Sequence, residues 1–175
     1  MPRAYRLGRR QAAVDRTSSS ILDAARRELA ESPALSFGAV ARRAGVTRAT
    51  VYNRFGSRAA LLDSLAPRPT TPEPASRDPR QAVREYLASR CLQWAADPAL
   101  YRHLPTPDEG ETARRLAEHL AALDALRPGC SLREAQDVLA ILGSFPAFDR
   151  LHQDGRRSSP AVAEILMRLA GGILA

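Results

Sequence analysis

Ten polar side chains between residues 36 and 58 offer the clearest chemistry in this sequence. They combine arginine guanidinium groups with hydroxyls and one amide: Ser36, Arg42, Arg43, Thr47, Arg48, Thr50, Tyr52, Asn53, Arg54 and Arg58. Side chains of these types bind the phosphates and the base edges of DNA. Their types and close spacing therefore predict a DNA-binding surface.

Two short helices joined by a tight turn are predicted to hold these side chains. The apolar face of the first helix consists of Phe37, Val40, Ala41 and Ala44. Gly45 then ends that helix, because a residue without a Cβ adopts the left-handed conformation at no steric cost. Thr47 is suited to capping the second helix, whose inner face carries Val51 and Phe55. This spacing is typical of a DNA-binding helix-turn-helix.

The polar side chains of this motif are expected to divide between base readout and phosphate contact. Arg48 is the first candidate for base readout, because it is long, lies in the first turn of the second helix and matches guanine with two hydrogen bonds. Asn53 either reads adenine or faces solvent. Ser36 and Thr47 cap helices, which is compatible with a phosphate contact. Phosphate contacts are assigned to four other arginines, Arg42, Arg43, Arg54 and Arg58, the first two of which also fit a solvated helix face.

The positive charge of the chain lies in the part that carries this motif. The 175 residues have a net charge of +7. Residues 1–66 hold 12 arginines and five acidic residues, which gives +7, whereas residues 67–175 hold 14 of each sign. A basic domain followed by a neutral one is the electrostatic pattern of a protein that binds nucleic acid through one domain.

Other classes of protein find no support in the sequence. No apolar run approaches the roughly 18–20 residues that cross a bilayer, and the basic N-terminus lacks the apolar core of a secretory signal, so a cytoplasmic protein is expected. Cys91 and Cys130 have no CxxC partner; free buried thiols are the simpler interpretation, and a redox pair or metal site is the alternative. His103 and His119 lack metal-ligand spacing. The sequence has no nucleophile elbow or phosphate loop either, so we expect neither an enzyme nor a bound metal or cofactor.

The chain is predicted to be all-α, with about nine helices in two domains. Residues 1–13 are either a disordered tail or a basic arm that contacts DNA. Residues 14–66 form the helix-turn-helix domain, whose first helix is expected from about Val14 to Glu31. Five prolines between 67 and 79 mark a proline-rich linker, and residues 80–175 form a second helical domain.

Helix starts in the second domain are marked by capping residues. They precede a proline or form a capping box at Asp78-Pro79, Asp97-Pro98, Thr106 to Glu109, Ser131 to Glu134 and Ser159-Pro160. A kink or stop is predicted at Pro146. The last two long helices are therefore expected at about 132–151 and 160–174.

Residues 1–66 resemble the TetR family of bacterial transcriptional regulators. The matching residues are Ile21 to Ala25, Ser36-Phe37, Val40-Ala41, Ala44 to Thr47, Thr50 to Tyr52, Phe55 to Arg58 and Leu61-Leu62. Three positions depart from the family pattern: Ser32-Pro33 stands where a glycine-containing turn is usual, Arg54 replaces a frequent histidine, and Arg58 replaces a common lysine. Both arginines keep a phosphate donor, so the resemblance still implies DNA binding.

The resemblance implies a homodimer that places one recognition helix per protomer, Arg48–Arg54, in successive major grooves of a palindromic operator. The family dimerises through its last two long helices; the candidate interface residues here are Val138, Leu139, Leu142, Phe148, Ile165 and Leu169.

Most members are repressors that a small molecule releases. The candidate effector-pocket residues are Tyr86, Trp94, Tyr101, His103, His119 and Phe145, each of which also fits an ordinary core. The alternative is a regulator of the same fold without a small-molecule effector, controlled by a partner protein or by concentration alone.

Overall fold

The computed structural model describes residues 3–32, 34–66, 76–104 and 110–175, with side chains from residue 14 onward. Ten α-helices lie in these ranges, and the sole β pairing there is an isolated bridge between Leu126 and Leu174. The all-α prediction is confirmed. Most of the proline-rich linker, from 67 to 75, and the capping box predicted at Thr106 to Glu109 lie outside the described residues.

Four helices precede the linker. They are α1 (Arg3–Glu31), α2 (Phe37–Ala44), α3 (Arg48–Phe55) and α4 (Arg58–Leu65). α1 packs against α2 and α4, and α3 packs against both α2 and α4. The side chains at the centre of this packing are buried: Ile21, Ala25, Val40, Val51, Leu61 and Leu65. The short helix α3 is therefore supported from within by the other helices.

The first helix begins earlier than the sequence pattern predicts. α1 is continuous from Arg3, so the predicted start near Val14 is wrong, and so is the interpretation of residues 3–13 as a disordered tail. The prediction used apolar periodicity, which residues 3–13 lack. These residues are mostly arginine, alanine, leucine and glutamine, which have high intrinsic helix propensity.

Six helices follow the linker. They are α5 (Pro79–Ala96), α6 (Pro98–Tyr101), α7 (Gly110–Ala122), α8 (Leu132–Leu142), α9 (Phe145–Asp149) and α10 (Ser159–Ala170). α5 packs along α10, and α7 packs along α8, which also contacts α10. A π-helical turn at Arg150–Asp154 continues α9. The largest side chains in the core of this part, Trp94 and Phe148, have no exposed surface.

The long helix predicted at 132–151 is broken into α8, α9 and the π-helical turn. α8 ends at Leu142, and the hydroxyl of Ser144 accepts a hydrogen bond from Ala147 N at 3.3 Å, which caps a new helix. Pro146 lies in the first turn of that helix. The break falls slightly before the predicted kink, because proline is accommodated in the first turn of a helix and not in its interior.

The C-terminal end of α8 lies against one face of α5. Tyr86 donates a hydrogen bond from its hydroxyl to Leu139 O at 3.2 Å. Trp94 Nε1 and Arg90 Nε both donate to Gly143 O, at 3.0 and 3.2 Å. A Cβ at Gly143 would lie 2.0 Å from the Tyr86 hydroxyl oxygen, so a larger residue cannot occupy this position without displacing Tyr86.

The described residues divide into two compact units. The boundary follows residue 67, and residues 102–104 group with the first unit. We call these parts the N-terminal unit and the C-terminal unit. In neither unit does a described helix combine the length and apolarity that spanning a membrane requires.

Candidate nucleic-acid interface

The first helix of the motif is fixed at both ends by local hydrogen bonds. Ser36 Oγ accepts from Ala39 N at 3.1 Å, which starts α2. Gly45 has φ of +67°, the left-handed conformation expected there, and Val46 N donates to Ala41 O at 3.0 Å across the turn. Because this geometry suits glycine far better than other residues, the turn that leads into α3 is sharply defined.

The second helix of the motif is capped in the same way. Thr47 Oγ1 accepts from Thr50 N at 3.1 Å, and the two threonine hydroxyls lie 2.8 Å apart. Gly56 ends α3 with φ of +71°, and Ser57 Oγ accepts from Ala60 N at 3.1 Å to start α4. Each hydroxyl satisfies a backbone N–H that a helix start would otherwise leave without a partner.

The helix α3 has a buried side and an exposed side. Val51 is fully buried and Phe55 is half-buried, whereas Tyr52 is 60% exposed and its ring meets Phe37 edge-on at 6.4 Å. The exposed polar side chains of the motif agree with the predicted outer face: Ser36, Arg42, Thr47, Arg48, Asn53, Arg54 and Arg58. Thr50 is half-buried.

Three exposed arginines around α3 have guanidinium groups that bind no partner among the described residues. Within the described part of the chain, Arg42, Arg48 and Arg58 make no hydrogen bond or ion pair through their side chains. Arg42 lies in the last turn of α2, Arg48 opens α3 and Arg58 opens α4. Guanidinium groups that hold no internal partner are available to a phosphate or to a guanine edge without loss of an existing contact.

Arg43, predicted to contact phosphate, is instead held by two carboxylates of α1. Its guanidinium binds Glu31 through both Nη atoms, with Nη1 2.9 Å from Oε1, and its Nε lies 3.4 Å from Glu28 Oε2. The hydrogen bonds from Arg43 hold the pKa of Glu31 below its ordinary value. The charge of Arg43 is therefore neutralised within the protein, which opposes its predicted contact with DNA.

Arg54 is also engaged, although with a neutral partner. Its Nη2 donates to the backbone carbonyl of Val14 at 3.0 Å, which joins the last turn of α3 to α1. The sequence analysis missed Val14, Glu28 and Glu31 as partners of the motif. Glu28 and Glu31 are three apart on α1 and so share a side of it, but that spacing alone does not say which arginine faces them.

Comparison with known families decides which kind of helix-turn-helix this is. Residues 21–65 match the family model described as bacterial regulatory proteins, tetR family. This part of the chain therefore matches the TetR family. The resemblance read from the sequence is thereby confirmed. No curated protein sequence matches the chain significantly.

Solved structures with the same fold cover nearly the whole chain. NalD, the secondary repressor of the MexAB-OprM multidrug efflux pump in Pseudomonas aeruginosa, is 20% identical over 93% of this chain and 97% of that chain, with a TM-score of 0.69. A second crystal structure, of native NalD, is 23% identical over 91% and 96%, also with a TM-score of 0.69. A mutant HlyIIR is 16% identical over 92% and 97%, with a TM-score of 0.62. These likenesses establish the TetR-type fold.

The aromatic residues predicted to line an effector pocket of this TetR-type fold are packed against one another. The Trp94 ring meets Tyr101 at 4.6 Å and Phe145 at 5.7 Å, and Phe145 meets Phe148 at 6.4 Å. Tyr86 is buried beside them. Burial raises the pKa of the Tyr101 hydroxyl. The rings of Trp94, Tyr101, Phe145 and Phe148 form a continuous aromatic cluster in the C-terminal unit.

The two histidines assigned to the same pocket group with different units. His119, on α7 of the C-terminal unit, has its Nε2 2.8 Å from Ser76 O, while His103 groups with the N-terminal unit. Burial holds the pKa of His103 below its ordinary value.

One groove in the described residues lies elsewhere, on the N-terminal unit. It has a volume of about 590 Å³ and is lined by Asp15, Arg16, Ser19, Ser20, Asp23, Ala24, Arg27 and Arg43. All of these except Arg43 belong to α1, and none is a predicted effector residue. Seven of its eight lining residues are polar or charged, and they include both signs of charge.

The predicted dimer residues separate into core and surface positions. Leu139 and Phe148 have no exposed surface, and Leu142 is also buried. These three side chains lie in the core of the chain itself, so they are not available to a dimer interface. Val138 and Ile165 are half-buried, and Leu169 is 59% exposed. The sequence analysis missed two other exposed residues of α8, Ile141 and Leu132. Ile141 lies three residues after Val138, a helical spacing that could have identified it.

The two cysteines are free thiols. Cys91 is buried, and burial raises its pKa to about 11; Cys130 is half-buried. Within the described ranges, no group of three metal-ligating side chains lies together.

Proposed function

We propose that this protein is a dimeric TetR-type repressor of transcription, which binds a palindromic DNA operator and is released by a small molecule. The observation that supports this most directly is the capped helix-turn-helix with three arginines on its exposed side, Arg42, Arg48 and Arg58. Their side chains have no partner among the described residues. The likeness to repressors such as NalD supports the same assignment.

The recognition helix in this proposal is α3, lying in the major groove. Arg48 stands in its first turn, where a side chain of a recognition helix reaches base edges, and its planar guanidinium matches guanine O6 and N7. Arg42 and Arg58 flank α3 on the neighbouring helices and contact phosphates. The free N–H groups at the start of α4, next to Arg58, support a phosphate there as well. Asn53 and Tyr52 remain exposed on the same helix.

Dimerisation in this proposal uses the exposed apolar residues of α8 and α10. These two helices pack against each other, which brings the exposed residues Ile141 and Leu169 onto neighbouring helices. The proposed surface consists of these two residues with the half-buried Val138 and Ile165. A two-fold axis through such a surface would place four helices together and would set two recognition helices about one helical turn of DNA apart, roughly 34–36 Å.

Release by a small molecule is the step on which two candidate functions differ. A ligand-responsive repressor needs a cavity in the C-terminal unit, and the aromatic residues Trp94, Tyr101 and Phe145 would have to separate to form one. The second candidate, a TetR-type regulator controlled by a partner protein or by concentration alone, needs no such cavity. A thermal-shift screen with diverse apolar metabolites separates these candidates, because a ligand that enters the core raises the melting temperature.

The proposed function is tested by footprinting on the DNA that flanks the protein's own gene, repeated at rising salt. We expect protection of a palindromic site, with log affinity falling linearly as log salt rises, because each phosphate contact releases counterions. Protection without any preferred site would contradict operator recognition. Affinity that does not change with salt would contradict the phosphate contacts.

A further inference from the structure

α1 is hydrogen-bonded to the end of the recognition helix. At one end, Arg54 Nη2 of α3 donates to Val14 O of α1 at 3.0 Å. At the other end, Ser20 Oγ of α1 donates to Ala44 O, just before the turn into α3, at 3.5 Å. Val14 of α1 is therefore tied to the last turn of α3, and Ser20 of α1 to the last residue of α2.

Upstream of the bond at Val14, α1 continues for 11 residues. It is a single helix from Arg3 to Glu31, and at 1.5 Å per residue its first 11 residues extend about 16 Å beyond Val14. The eight residues of α3 span about 12 Å, which is similar to the width of the major groove. With α3 in the groove, a helix that continues beyond its end approaches the phosphates that border that groove.

The charge of this extension suits such a partner. Residues 3–13 contain arginines at positions 3, 6, 9 and 10 and no acidic residue, and the first acidic residue of the chain is Asp15. These four arginines supply more than half of the net charge of +7 that residues 1–66 carry. DNA presents about one negative charge per 1.7 Å of its axis, so a helix with four cations and no anion is complementary to its backbone.

We propose that residues 3–13 of α1 form a second DNA-binding element, which contacts the phosphate backbone that flanks each half-site. This inference rests on the proposed function, because it requires α3 to lie in the major groove. The element adds affinity and salt dependence without sequence selectivity, since phosphates are the same at every base pair. Arg54 acts within it as a positioning residue that ties α1 to the end of α3.

A triple substitution in the full chain, Arg6→Gln with Arg9→Gln and Arg10→Gln, tests this element. Affinity for the footprinted operator and for a random duplex of equal length is measured by fluorescence anisotropy between 50 and 300 mM salt. We expect the slope of log affinity against log salt to decrease in magnitude by about 5, because the dimer loses six phosphate contacts at about 0.9 per contact. Affinity for both duplexes falls about 10-fold or more at low salt, and their ratio is unchanged.

A matched control removes three arginines from the C-terminal unit, through Arg77→Gln, Arg127→Gln and Arg156→Gln. All three positions are exposed, and the net charge changes by the same amount. We expect this control to keep the salt slope of the unchanged protein, and circular dichroism establishes that both triple variants are folded. The inference would be overturned if the N-terminal variant kept the salt slope of the unchanged protein. It would also be overturned if the control lost as much affinity as the N-terminal variant. Failure of the unchanged protein to prefer its operator would contradict the proposed function instead.

Discussion

The exposed arginines of the helix-turn-helix fall into two groups according to what their guanidinium groups touch. Arg42, Arg48 and Arg58 contact no described partner through their side chains, whereas Arg43 and Arg54 bind groups of α1. Sequence alone treats all five as phosphate or base contacts, because residue type and helix position are similar. Only the packing of α1 separates them, and that packing is not encoded in the local pattern.

At Arg48, we predict that Arg48→Ala weakens binding to a guanine-containing operator by about 1–3 kcal/mol. The reason is the loss of two hydrogen bonds to one base, so the specificity ratio over random DNA should fall with it. Anisotropy titrations on both duplexes measure this. An equal loss on operator and random DNA would show that Arg48 contacts a phosphate. Arg42→Ala serves as the comparison, because a phosphate contact predicts that equal loss.

At Arg43, we predict that Arg43→Ala lowers the melting temperature and leaves the salt slope of DNA binding unchanged. The substitution leaves Glu28 and Glu31 without their counter-ion, while no phosphate contact is lost. Because the pKa of Glu31 is lowered in the folded state, the ion pair stabilises the protein above the ordinary glutamate pKa of 4.5. That stabilisation disappears as the pH falls through the lowered pKa, so the two proteins should then melt together. A reduced salt slope would contradict this account.

At the thiols, we predict that Cys91 does not react with a thiol reagent in the native protein at pH 8. Its pKa of about 11 and its burial leave almost no accessible thiolate. Cys130, which is half-buried, should react first. A Cys130→Ser variant should therefore show no titratable thiol until denaturant is added. Rapid reaction of that variant in native buffer would mean that the core around Cys91 opens.

At the scale of elements, the short-range chemistry of the motif could be predicted and the long-range packing could not. Ser36, Gly45 and Thr47 act through hydrogen bonds and backbone angles within a few residues, and the structure places each as expected. The start of α1 and the break after α8 were misplaced. The first depends on helix propensity without apolar periodicity. The second lies beside the close approach of Tyr86 to Gly143, which are 57 residues apart in the sequence.

That approach leads to a prediction for Gly143→Ala. A Cβ there would overlap the hydroxyl of Tyr86, which should break its bond to Leu139 O and destabilise the protein by about 1–3 kcal/mol. Urea unfolding measures the change. Gly171→Ala is the matched control, because a Cβ there meets open space and the backbone is already helical, so it should be neutral or stabilising by about 0.4–1 kcal/mol. Equal midpoints for the two variants would contradict the clash.

At the scale of the whole molecule, the excess positive charge and the proposed apolar interface lie in different units. The N-terminal unit carries the excess of arginine, and exposed Ile141 and Leu169 lie on neighbouring helices of the C-terminal unit. The sequence predicted which two helices would carry an interface, but half of its six residues were buried core. Helical periodicity marks an apolar face without saying whether it faces the same chain or another one.

We predict that Ile141→Asp with Leu169→Asp converts a dimer into a monomer and reduces operator affinity by at least about 100-fold, since each monomer then binds a single half-site. Sedimentation velocity measures the mass. Leu92→Asp, on α5 and 67% exposed, is the matched control and should remain dimeric. If only the control variant became a monomer, the dimer interface would lie on α5 instead.

The capping of the motif has a consequence for redesign. The residues that shape the helix-turn-helix, Ser36, Gly45 and Thr47, act through the backbone, while Arg48 and Asn53 project from it without an internal partner among the described residues. Substitutions at the last two positions should therefore change target choice at little cost to folding. A library randomised there would retain a folded scaffold in most clones, so operator preference in this protein could be altered by selection independently of its stability.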